Sequence, residues 1–92
     1  MIRQILMPYE FEITETLEQK FRKIKKKNPV LFSACHKKIV EIIQNPYHYK
    51  HLKYENRFRV HVGGSFVMTY RVHESRQVVE FLDIEHHDDA YL

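Results

Sequence analysis

Cysteine is all but absent from this 92-residue chain, and the single Cys35 can form neither an internal disulfide nor a cysteine zinc cluster. Its expected state is a reduced thiol buried in the core. Two glycines and three prolines are too few for a collagen-like, linker-type or low-complexity chain. Apolar runs are four or five residues long, against the roughly 20 needed to cross a bilayer. The first residues lack the apolar block and small-residue cleavage site of a secretory leader. No glycine-rich phosphate loop is present, because Gly63-Gly64 lies between two strand patterns and no helix follows it. Ser33, Ser65 and Ser75 have no context typical of a nucleophile. What the chain does have is 43% hydrophobic residues, with six Phe and six Tyr, enough for a packed core and too many for disorder. The expectation is one small, soluble, cytosolic domain over residues 1–92, with no membrane partner.

A net charge of +3 conceals strong segregation. Residues 1–19 carry −3, residues 20–71 carry +11 and residues 72–92 carry −5. Part of the central block, Lys20 to Lys27, suits the C-terminal end of a helix, where the dipole favours cations. Lys50, Lys53, Arg57, Arg59 and Arg71 lie elsewhere and point to a polyanion or an acidic protein as partner.

Periodicity divides the chain into six elements in the order β-α-α-β-β-β. Residues 3–9 read as a short first strand edged by Pro8. Thr14 or Thr16 suits a helix N-cap, and Thr16 with Gln19 matches the capping-box spacing. Leu17, Phe21 and Ile24 form the apolar stripe of a first helix; Leu31, Cys35, Ile39, Ile42 and Ile43 form that of a second. Asn28-Pro29 separates the two as cap and first helical residue, and Asn45-Pro46 ends the second. A link this short implies an antiparallel helical hairpin.

From Arg57 the period becomes two. A two-residue Gly63-Gly64 loop would place Phe66, Met68 and Tyr70 on the face of Arg57, Arg59 and His61. A three-residue loop that includes Ser65 pairs Val62 with Phe66 and gathers the apolar residues of both strands on one face. Burial of that face selects the longer loop. The other face then carries Arg57, Arg59, His61, Val67, Thr69 and Arg71. Val78–Leu82, apolar on both parities except Glu80, reads as an interior strand. The fold class is therefore α+β, with the helical hairpin on a small, mostly antiparallel twisted sheet.

Seven histidines are present. His36 and His73 read as surface residues, and His48, His51, His86 and His87 lack the spacing of a zinc site. His61 differs because it shares a strand face with Arg57 and Arg59. Arginines crowded on one face suit an overlying phosphate chain; the alternative is a plain solvated sheet face.

These residues carry a family resemblance. The element order, the hairpin Arg57-Phe-Arg-Val-His61-Val-Gly-Gly-Ser-Phe-Val-Met-Thr-Tyr70-Arg71 and the ending His86-His87-Asp-Asp-Ala-Tyr91 resemble RelE/ParE-superfamily toxins of type II toxin–antitoxin modules, most closely the YafQ branch. The resemblance implies a RelE-like fold and a ribosome-dependent, metal-independent mRNA endoribonuclease without cofactor. It implies His61, His87 and Tyr91 as the catalytic set, with Phe66 and His51 on the RNA; Lys53, Arg57, Arg59 and Arg71, from the cationic pattern itself, are expected to hold RNA and phosphate beside them. An acidic antitoxin, the ribosome and mRNA are the implied partners, with a higher toxin–antitoxin assembly open. The chain departs from the family pattern at Ser65, Val67 and Asp83. The same fold also hosts ParE-like toxins that bind a topoisomerase without chemistry, and a scaffold that only binds antitoxin is a further alternative.

Overall fold

The computed structural model describes residues 8–52 and 56–90. Strand β1 (Glu10–Ile13) leads into helices α1 (Glu15–Lys27) and α2 (Pro29–Gln44). A two-residue strand β2 (Lys50–His51) precedes the hairpin β3 (Phe58–Val62) and β4 (Phe66–His73). A 3-10 turn (Glu74–Arg76), strand β5 (Val78–His86) and the short helix α3 (His87–Ala90) complete the fold. The sheet runs β1-β5-β4-β3-β2, with β1 parallel to β5 and the other pairs antiparallel.

Local chemistry accounts for the helix boundaries. Thr14 caps α1, its hydroxyl accepting from the Leu17 amide at 3.2 Å while donating to the Leu82 carbonyl at 2.7 Å. The cap is thus Thr14, and the Thr16–Gln19 spacing goes unused. The second bond explains the choice, because it ties the start of the helix to the sheet as well as to its own first turn. Asn28 caps α2 through the Leu31 amide at 3.1 Å, with Pro29 as the first helical residue. The two apolar stripes, from Leu17 to Ile24 and from Leu31 to Ile43, close over one face of the sheet.

The hairpin has the three-residue loop. Val62 pairs with Phe66, and Phe58, Val60, Val62, Met68, Tyr70 and Val72 are buried beneath the helices. β5 lies between β1 and β4 and runs four residues beyond the apolar block, to His86.

Two expectations are corrected. The first described strand is Glu10–Ile13; of the expected stretch 3–9, residues 3–7 lie outside the described residues, and Pro8 and Tyr9 are not strand. Alternation of Glu10, Phe11, Glu12 and Ile13 suits an edge strand, and Phe11 meets Phe81 edge-on at 6.2 Å. His73 is a strand residue rather than turn surface: it ends β4 half-buried, and its Nε2 lies 2.9 Å from Glu80 Oε1.

Candidate active site

β1 pairs with β5 only as far as Phe81, so the outer edge of β5 beyond it has no strand neighbour among the described residues. The start of α1 takes that place. The Thr14 amide donates to the Phe81 carbonyl at 3.0 Å, and Lys20 Nζ donates to the Ile84 carbonyl at 3.0 Å. On the sheet face away from the helices this leaves an open cleft of about 440 Å³. Arg57, Arg59 and Leu52 form one wall, Thr14, Thr16 and Asp83 the other, and Val67 and Thr69 belong to the strand between.

Register orders the polar groups into rows across the sheet. Lys50 lies opposite Arg59, Arg59 opposite Thr69, and Thr69 opposite Asp83, whose carboxylate meets Lys20 at 2.7 Å. In the next row His61 lies opposite Val67 and Val67 opposite Glu85. The cleft is therefore cationic on the β3 side and acidic on the β5 side. Val67 is only 1% exposed, so the middle strand does not present a plain solvated surface.

At the end of the second row His61 meets His87. The two rings stack with centroids 5.3 Å apart and planes 27° from parallel, and both residues are exposed. His87 is held there by its backbone, since its amide donates to the Ser65 carbonyl at 2.7 Å as β5 passes into α3. Residues separated by 26 positions are thus brought together by the hairpin loop on one side and the start of α3 on the other.

The other expected site residues divide. Arg57 and Arg59 line the cleft. Arg71 stands lower on the same face, with its Nε 3.4 Å from the Asn56 carbonyl and its guanidinium 3.9 Å from Glu80. His51 is not brought to this face: it pairs with Phe58 and its ring lies 4.8 Å from that buried ring. Phe66 also belongs to the helix-covered face, half-buried at its rim. Lys53 and Tyr91 lie outside the described residues. Lys50, expected among the partner-facing cations, lies opposite Arg59. Sequence reasoning passed over Thr14, Thr16 and Glu85 as parts of this region, because the wall they form depends on pairings across the sheet.

A family model for the ParE toxin of the type II toxin–antitoxin system parDE matches residues 11–91. A Methanocaldococcus jannaschii protein assigned as toxin RelE4 is 42% identical over 85 residues, covering 90% of each chain. The fold is similar to a chain of the intact Escherichia coli RelBE toxin–antitoxin complex: TM-score 0.73, 18% identity, 85% of this chain and 95% of that one. It is equally similar to a chain of the Mycobacterium tuberculosis RelBE2 toxin–antitoxin complex: TM-score 0.73, 21% identity, 87% of this chain and 99% of that one.

Proposed function

Because the chain belongs to the ParE toxin family of type II toxin–antitoxin systems, we propose that it stops translation by cutting mRNA on the ribosome, with His61 and His87 as the proton-transfer pair. The observation that carries this reading is the stacking of these two imidazoles at 5.3 Å beside an arginine-walled cleft. RNA supplies its own nucleophile. One imidazole removes the proton of a ribose 2′-OH, whose oxygen attacks the adjacent phosphorus. The other donates a proton to the departing 5′-oxygen. The products are a 2′,3′-cyclic phosphate and a 5′-OH end. Imidazole suits both transfers at neutral pH. Arg59 and Arg57 neutralise the charge that grows on the phosphorane, and Lys50, opposite Arg59, adds to that field.

An antitoxin partner is supported by the solved structures of similar fold, several of which are toxin–antitoxin complexes. The +11 central block suits an acidic antitoxin segment that orders on contact. Asp83 and Glu85 favour a second reading, a ParE-like toxin that binds its target without chemistry, because carboxylates beside the cleft weaken its hold on phosphate.

Purified protein added to translating ribosomes separates the two readings. Cleavage with cyclic-phosphate ends, falling about 10²–10⁴-fold in His61→Ala and in His87→Ala, supports the nuclease. Inhibited translation of intact message, or cleavage that survives both substitutions, overturns it.

A further inference from the structure

Strand β5 changes parity partway along its length. Tyr70 lies opposite Phe81 and Thr69 opposite Asp83, so Leu82 is an extra residue, a β-bulge. Its consequence reaches the histidine pair. Phe81 is buried beneath the helices. Regular alternation from it would send Asp83, Glu85 and His87 to that covered side and turn Ile84 to the cleft. The extra residue reverses this. Ile84 is buried opposite Met68, while Asp83 and Glu85 line the cleft and His87 meets His61.

Helix α1 holds the bulge in place. In a regular strand consecutive carbonyls point to opposite edges, yet those of Phe81 and Leu82 both accept from Thr14. The first takes its amide at 3.0 Å and the second its hydroxyl at 2.7 Å. Two residues on, Lys20 Nζ donates to the Ile84 carbonyl at 3.0 Å and meets Asp83 Oδ1 at 2.7 Å. The same carboxylate oxygen accepts from the Ile84 amide at 2.8 Å. Both backbone groups of Ile84, which a neighbouring strand would engage, are therefore taken by the Lys20–Asp83 pair. His87 lies three residues further, tied on the β4 side by its amide to the Ser65 carbonyl. We infer that Lys20 is a positioning residue for proton transfer: by tying the bulged end of β5 to α1, it fixes the level at which His87 stacks on His61. The inference rests on the nuclease reading for the reaction it serves, and the stacking is tested without cleavage.

The test reads the two rings by NMR in the purified full chain and the reaction on translating ribosomes. Stacking should move the ring-proton resonances of His61 and His87 upfield of those of His36, which is exposed on α2. Lys20→Met keeps the aliphatic stem and loses the ammonium. It should return both sets of resonances towards those of His36. It should also lower cleavage at saturating ribosomes about 10²-fold, the cost of a misplacement near 1 Å. Lys20→Arg should restore stacking and cleavage together. Lys20→Met combined with Asp83→Asn removes the carboxylate left unpaired and should restore neither. That double variant also lacks the uncompensated charge that could unfold the single one, and an unshifted methyl resonance of the buried Met68 marks either as folded. Histidine resonances unchanged in folded Lys20→Met overturn the proposal. So does cleavage restored in the double variant, which would reduce Lys20 to a neutraliser of Asp83. Rings that separate in Lys20→Met, when the native protein leaves message intact, sink the nuclease reading alone. Native-rate cleavage by Lys20→Met, when His87→Ala is inactive, sinks the positioning role alone.

Discussion

A phenol in a core needs an acceptor, and Tyr70 shows how strongly that need shapes this fold. The residue is fully buried, its ring stacks on Phe58 at 5.0 Å, and its hydroxyl donates to the Pro46 carbonyl at 2.5 Å. Burial, with a smaller contribution from Tyr49, raises its pKa well above the usual phenol value, so it remains a donor. Tyr70→Phe keeps the ring and leaves the Pro46 carbonyl without that donor. Urea denaturation should show a loss of about 1–3 kcal/mol, and an unchanged midpoint would mean that water replaces the hydroxyl. Cys35 makes the opposite case, a polarisable group whose reactivity is suppressed by packing. It is 1% exposed, and burial pushes its thiol up to about 11. At pH 8 iodoacetamide should therefore label it only after denaturant unfolds the chain; rapid labelling of native protein would contradict the packing.

Among the elements, the β3–β4 hairpin matters most because its loop holds one end of the histidine pair. Gly63 and Gly64 both take positive φ, 62° and 81°. They differ in surroundings: a Cβ at Gly63 would meet Leu31 Cδ1 at 2.9 Å, whereas one at Gly64 has open space. Both alanine variants incur the strain of a left-handed backbone, about 1 kcal/mol. Gly63→Ala should lose more, because Leu31 is itself buried and must shift against the core. Thermal melts of the two variants check the order, and equal losses would show that Leu31 relaxes freely. The same element explains one legible feature and one illegible one. Its register was readable because a slip of one residue exposes every apolar side chain. The side taken by His51 was not, since a two-residue strand has too little pattern to specify its own register, and its pairing opposite Phe58 places it.

On the scale of the whole molecule, segments distant in sequence meet at Glu74. Its carboxylate accepts from Tyr9 at 2.8 Å, from the Tyr47 hydroxyl and from Gln77 Nε2 at 2.7 Å. The cluster joins the entry to β1, the loop after α2 and the turn before β5. Hydrogen bonds from Tyr47 first, then Tyr9 and Gln77, lower the Glu74 pKa. A lowered carboxyl contributes stability that is present above its unfolded value, near 4.3, and is lost as pH falls through the folded one. Tyr9 is raised, by burial first and then by Glu74, so its contribution is present below about 10 and is lost as pH rises through the folded value. The stability difference between the native protein and Glu74→Gln should be level from about pH 5 to 9 and shrink on both sides. Melting temperatures across that range test it, and a difference insensitive to pH would remove the cluster from the account.

The sequence by itself determined the elements whose signals are local. Helical stripes, the Asn28-Pro29 break, the three-residue hairpin loop and the gathering of Arg57, Arg59 and His61 on one strand face all follow from periods of 3.6 and 2 with hydrophobic burial as arbiter. The likeness of His61 and His87 to a toxin pair was legible as a motif, but their stacking was not. Tertiary structure decided what depends on pairs distant in the chain: Lys20 neutralising Asp83 across 63 positions, and Glu85 in the same row as His61 and Val67. It also decided that the arginine face carries an acidic wall, which the composition of β3 alone could not disclose. The physical reason is that a strand's own alternation says which residues share a face, whereas the charge of that face is set by the neighbouring strands and by where the sheet ends.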